Sequence, residues 1–136
     1  MTLRIIFFFF FNLILFSKST LAQEQVVYKT IDTLDLTLEV YRPKVTHESE
    51  TYPAMVFFFG GGWNGGSTAQ FKPHATYFSE RGIVCFLVDY RVNSRNKTTP
   101  FESLMDAKSA MRFIRKNAAT FQIDTSKIIA SGGSAG

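Results

Sequence analysis

A chain of 136 residues with 46% apolar side chains is too apolar for a disordered tail and too short for a multidomain assembly, which leaves one compact domain or part of one. Its 15 Lys and Arg outnumber 11 Asp and Glu, but Arg4 and Lys18 lie in an N-terminal leader, and without them the balance is 13 to 11. No dense basic patch supports nucleic-acid binding, and one cysteine with two histidines gives neither an internal disulfide nor a zinc cluster.

Met1-Thr2-Leu3-Arg4 opens the leader with a positive charge. Ile5 to Phe16 follows as an apolar run broken only by Asn12 and holding six of the fifteen phenylalanines, and Ser17-Lys18-Ser19-Thr20-Leu21-Ala22 closes it. This is the order of a secretory signal peptide over 1–22, with cleavage expected after Ala22. The run falls short of the roughly 20 apolar residues a spanning helix needs. No Cys stands at the cleavage point. The mature chain is therefore expected to be secreted or periplasmic, with no stable membrane anchor. In an oxidising compartment the lone Cys85, inside an apolar run, is expected to be buried.

Beyond the leader, strand and helix patterns alternate. Leu34, Leu36, Leu38 and Val40 alternate with Asp35, Thr37 and Glu39, which predicts a half-buried strand antiparallel to one around Val26–Thr30. Ala54–Phe59 is an unbroken apolar run ending at glycines, the pattern of a central strand buried on both faces. The spacing predicts a helix over Gln70–Arg81, with Pro73 tolerated in its first turn and Gly82 as its stop. Ile83–Val88 is a second buried run, closed by Asp89-Tyr90-Arg91, and Asn93–Thr99 reads as a polar connection. Pro100 then opens a helix with an apolar stripe at Phe101, Leu104, Ala107, Met111 and Ile114, and Arg115 and Lys116 suit its C-terminal dipole. Lys127–Ala130 is a short strand before Ser131-Gly132-Gly133-Ser134-Ala135-Gly136. A β-hairpin leading into β-α-β-α-β predicts an α/β fold, a mostly parallel sheet flanked by helices.

Two glycine clusters hold the chemistry. Gly132-Gly133-Ser134-Ala135-Gly136 matches G-x-S-x-G directly after a strand. A nucleophilic serine projecting from a tight strand-to-helix turn sits at strained backbone angles. Its neighbours two before and two after, the elbow glycines Gly132 and Gly136, must be small enough for strand and helix to pass. The second cluster, Phe58-Phe59-Gly60-Gly61-Gly62-Trp63-Asn64-Gly65-Gly66-Ser67, lets main-chain N–H groups face a ligand without side-chain obstruction. Gly60-x-Gly62-x-x-Gly65 also imitates a dinucleotide fingerprint, with Asp89 ending the next strand. Bulky Trp63 and Asn64 stand where the pyrophosphate-binding helix should begin, the helix starts only near Gln70, and the motif follows a hairpin instead of opening the domain. These features argue against a nucleotide site.

The order of these motifs resembles that of an α/β-hydrolase. Val56-Phe57-Phe58-Phe59-Gly60-Gly61-Gly62-Trp63 is similar to the H-G-G-G-W oxyanion loop of bacterial hormone-sensitive-lipase-like esterases. Asp89-Tyr90-Arg91, Asp106–Arg115 and Ile123–Gly136 follow in that family's order. The likeness spans residues 54–136, about 60% of the chain, and is nearest to secreted carbohydrate-esterase-like members related to acetyl-xylan and feruloyl esterases. The resemblance implies Ser134 as nucleophile and the backbone N–H groups of Gly61, Gly62 and Ala135 as the oxyanion hole. It implies two-step acyl transfer on a small-molecule or carbohydrate ester, without metal or organic cofactor.

Two positions depart from the family pattern. Phe59 stands where many relatives carry His. The acid and the histidine of this fold follow the serine in chain order, and the resemblance therefore implies that 23–136 is the N-terminal part of the domain, incomplete without them. The strand before Ser134 is expected at an open sheet edge, and the 136-residue chain alone is expected to lack triad-level activity. His47 in a polar loop and His74 beside Pro73 are expected at the surface and not as the base. Ser79, Ser109, Ser126 and Ser131 have no elbow around them, and Trp63, Tyr77 and Phe78 are core or pocket aromatics. A serine peptidase on the same fold and a non-catalytic hydrolase-like protein are the alternative readings.

Overall fold

A computed structural model describes residues 23–44 and 50–136; the expected signal peptide over 1–22 and His47 lie outside the described residues. The elements run β1 (Gln23–Ile31), β2 (Leu34–Tyr41), β3 (Tyr52–Phe58), a 3-10 turn (Thr68–Phe71), α1 (Lys72–Ser79), β4 (Val84–Val88), α2 (Asn93–Asn96), α3 (Pro100–Lys116), α4 (Ala118–Phe121) and β5 (Ile123–Gly132). One five-stranded sheet takes the order β1-β2-β4-β3-β5. The β1–β2 and β2–β4 pairs are antiparallel, and β3 runs parallel to both β4 and β5. The expected hairpin and parallel core are both present.

Two-residue alternation sorts the strands onto two cores. Leu36, Leu38, Val40, Val56, Phe86 and Val88 face α3 and α4. Tyr41, Phe57, Cys85 and Leu87 face α1. All five residues of β4 are buried, as a strand covered on both sides requires. Cys85 is fully buried, and burial pushes its thiol up to about 12; it is a core side chain, not a reactive one.

Several boundaries differ from the sequence reading for local reasons. The expected 70–81 helix is a 3-10 turn that hands over to α1 at Lys72, with Pro73 in the first turn, where no N–H is missed. The first buried run ends at Phe58, because Phe59 already belongs to the site loop. The polar connection after β4 contains the one-turn α2. At the end of the sheet Tyr52 pairs with Ile123, but Ala54 pairs with Ile128, so the intervening residues loop out. The Asp124 carboxylate accepts from the Ser126 N–H at 2.9 Å and hydroxyl at 2.6 Å, which closes that loop. The regular parallel pairing therefore starts close to the expected Lys127.

The stripe expected on α3 is the main correction. Its buried residues are Ser103, Asp106, Ala110 and Ile114; of the expected stripe, Ile114 is in the core and Met111 packs against it, while Phe101 and Leu104 are 68% and 52% exposed. Polar groups occupy the core-facing stripe because they are fully partnered. Asp106 accepts from Arg91 Nε at 2.7 Å, Arg91 Nη2 at 3.0 Å and Lys29 Nζ at 2.7 Å. Ser103 donates to the Arg91 carbonyl at 2.7 Å. Burial pushes the Asp106 carboxyl up, but its bonds to Arg91 and Lys29 outweigh that and hold it below its ordinary value. Tyr77, expected as core or pocket, is neither: it lies exposed under the Arg81 guanidinium, 3.5 Å from the ring centroid.

Candidate active site

The site forms where β3 and β5 end side by side. Parallel pairing puts Phe58 opposite Gly132, so the glycine loop after β3 and the turn after β5 emerge together. Three glycines are required by this approach. A Cβ at Gly60 would lie 2.5 Å from the Gly133 carbonyl oxygen and 3.3 Å from Ser134 Cβ. A Cβ on Gly132 would collide with the Gly136 backbone, and one on Gly136 with the Phe58 carbonyl. The small-residue requirement read from G-x-S-x-G is thus a matter of backbone meeting backbone.

Ser134 itself has φ 56°, left-handed and costly for a residue with a Cβ, and it is exposed at the apex of the turn. The Gly136 N–H closes the turn onto the Gly133 carbonyl at 3.0 Å, and the Gly133 N–H reaches back to the Phe58 carbonyl. In the facing loop Gly61, Gly62 and Trp63 all have positive φ. The Gly61 carbonyl accepts from the N–H groups of Asn64 at 3.1 Å and Gly65 at 3.2 Å, which makes residues 61–65 a closed turn. The N–H groups of Gly61, Gly62 and Ala135 donate to no other group among the described residues.

Two side chains, Tyr90 and Gln70, and the first backbone amides of α2 hold this loop, and most of these contacts escape sequence reading. The Tyr90 hydroxyl donates to the Phe59 carbonyl, and the two rings stack with centroids 4.1 Å apart. Burial pushes the Tyr90 phenol above its ordinary 10, which keeps it a protonated donor. The Gly60 N–H donates to Gln70 Oε1 at 2.6 Å. The first amides of α2 meet the loop's far side, Asn93 N–H on the Trp63 carbonyl at 2.9 Å and Ser94 N–H on the Asn64 carbonyl at 2.8 Å. Phe59, which replaces the histidine of many relatives, is buried, with Gly66 packed so tightly on its ring edge that a Cβ there would lie 2.6 Å from it. The only signals for these roles were the Asp89-Tyr90-Arg91 triplet and the short polar stretch after it. Asp89 pairs with Arg95 at 2.7 Å and Arg91 with Asp106, so the triplet is anchored on both sides of Tyr90.

No helix opens at Trp63, which removes the geometry a dinucleotide site would need; helical structure begins only at Thr68. His74 lies exposed on α1, its ring 5.4 Å from that of Phe71, and makes no hydrogen bond to Ser134. A cavity of about 530 Å³ adjoins the elbow, lined by Ala135 and Gly136, by Phe58 and Trp63, and by Phe101 and Leu104 of α3. The N-terminal part of the α3 stripe, Phe101, Leu104 and Ala107, and Trp63 are therefore cavity walls.

The arrangement is similar to that of solved esterases. A thermophilic esterase of Thermogutta terrifontis, Est2, superposes with a TM-score of 0.81 at 48% identity, over 84% of this chain and 41% of that one. The same esterase phosphorylated by paraoxon matches with a TM-score of 0.80 at 47% identity, over 83% of this chain and 43% of that one. Among curated relatives, carboxylesterase NlhH of Mycobacterium tuberculosis is 31% identical over 104 residues, 75% of this chain and 31% of its own length. The probable carboxylic ester hydrolase LipM of that organism is 29% identical over 100 residues, 73% of this chain and 23% of its own. The chain thus spans less than half the length of these relatives. The BD-FAE family model matches residues 38–136. With a family model over most of its length and a mixed sheet that superposes on these esterases, the chain belongs to the BD-FAE family of α/β-hydrolases, among the hormone-sensitive-lipase-like esterases.

Proposed function

We propose that this chain contributes the nucleophile and oxyanion site of a secreted serine carboxylic-ester hydrolase. The observation that carries the reading is Ser134 at positive φ, in a turn whose backbone touches the Gly60 turn. Ser134 Oγ attacks the ester carbonyl carbon, and the tetrahedral oxyanion is stabilised by the N–H groups of Gly61, Gly62 and Ala135. The alcohol then leaves with a proton, and water releases the acid from the acyl-enzyme. The general base and its carboxylate come from residues after the elbow, as the fold's chain order requires. Small acyl esters, including those on carbohydrates, are the substrate class, and the apolar cavity beside the elbow suits an acyl or aryl group. Export, with cleavage after Ala22, completes the proposal.

The test is hydrolysis of p-nitrophenyl acetate by the full-length gene product and its Ser134→Ala variant. Wild-type turnover with a loss of at least about a thousandfold in the variant is expected. Equal rates in the two proteins would refute Ser134 as nucleophile.

A further inference from the structure

We infer that Gln70 is a positioning residue for the oxyanion loop, tethering the Phe59–Gly60 peptide one residue ahead of the Gly61 N–H and beside the nucleophile turn; the inference rests on the esterase reading above. The Phe59–Gly60 peptide is tethered at both ends. Its carbonyl accepts from Tyr90, on the strand side, and its N–H donates to Gln70 Oε1 at 2.6 Å. A peptide plane has one orientation once both polar groups are bound, and the Gly61 N–H is the next donor along the chain. Only the φ and ψ of Gly60 separate that N–H from the tethered plane, so the tether narrows the range of directions it can take.

Gln70 reaches across from a different element. The 3-10 turn that bears it is pinned to the sheet by Glu39, whose carboxylate accepts from Thr68 Oγ1 at 2.6 Å and pairs with Lys72 Nζ at 3.1 Å. The Gln70 carboxamide also lies against the elbow: its Nε2 is 3.7 Å from where a Gly133 Cβ would stand, and Phe71 Cζ is 3.4 Å from the same point. One side chain thus bonds one half of the site and lies beside the other. The Gly60 N–H is spent on this bond and is not an oxyanion donor, which separates Gln70's task from that of Gly61 and Gly62.

The requirement is an acceptor at the end of a side chain of this length. Gln70→Leu removes the acceptor, Gln70→Lys replaces it with a donor, and Gln70→Glu keeps it. All three are to be made in the full-length protein, with paraoxon as a second probe because its phosphoryl oxygen must occupy the same hole. With p-nitrophenyl acetate, Gln70→Leu and Gln70→Lys are expected to lose about tenfold in kcat, with KM within about twofold. Paraoxon should inactivate them slower by a similar factor, and Gln70→Glu should recover most of both rates. Gln70 is exposed, so thermal melting should hold close to wild type. Wild-type rates in Gln70→Leu and Gln70→Lys, or a Gln70→Glu as slow as they are, would overturn the inference. A wild-type protein that turns over no ester and takes no label on Ser134 would overturn the esterase reading, and this inference with it.

Discussion

Asp106 is a carboxylate with no exposed surface, held in the core by two cationic side chains and a backbone N–H from Arg91. Replacing it with asparagine leaves Arg91 and Lys29 facing a neutral amide in a poorly hydrated place, a change expected to cost about 3 kcal/mol. Urea denaturation of wild type and Asp106→Asn at pH 7 measures it. Because the folded carboxyl lies below its ordinary 3.8, this stabilisation is complete above that value and is lost as pH falls through the lower folded one. The gap between wild type and Asp106→Asn should stay level from pH 7 to about pH 5 and narrow only below about pH 4. A gap that closes between pH 5 and 7 would show that another group carries the effect. Since Arg91 follows Tyr90, the same variant is expected to loosen the Tyr90 tether on the glycine loop.

At the scale of elements, α3 has a start signal that the spacing argument overlooked. Thr99 accepts from the Phe101 N–H at 3.3 Å, and Glu102 accepts from the Thr99 N–H at 2.8 Å, a capping box in front of Pro100. Thr99→Ala should destabilise the fold by about 1 kcal/mol, read as a lower urea midpoint at unchanged slope. Thr99→Asp, which keeps the acceptor, should restore it. The exposure of Phe101 and Leu104 on α3 has a related cause. Hydrophobicity finds the face with the most apolar atoms, which here lines a cavity. The buried face is marked by Ser103 and Asp106, whose partners lie on β1 and in the segment after β4, far away in sequence.

The whole sheet ends at β5, which pairs only with β3 among the described residues. Ile129 on this edge strand is half exposed, and the elbow sits at its tip. An apolar edge with free ladder groups recruits other strands. The 136-residue polypeptide expressed by itself is therefore expected to self-associate, seen as large species in light scattering, and to hydrolyse p-nitrophenyl acetate no faster than its own Ser134→Ala variant. A monodisperse monomer with Ser134-dependent turnover would contradict both halves of that prediction.

The class of fold, the two buried strands, the hairpin and the two glycine clusters are legible in the amino-acid order alone. Each depends on short-range pattern: period-two alternation, unbroken apolar runs, or glycines where a turn leaves no room for a Cβ. Gly132, Gly136 and Ser134 are legible in the same way as one local unit, because a strand-to-helix turn constrains its own five residues. The contacts that hold the glycine loop appear only in three dimensions: Tyr90 on the Phe59 carbonyl, Gln70 on the Gly60 N–H, and the α2 amides on Trp63 and Asn64. These are bonds between groups 10 to 31 residues apart, two of them from side chains and two from backbone amides. No periodicity encodes them; they exist because parallel pairing of β3 with β4 and β5 brings three strand ends to one rim of the sheet.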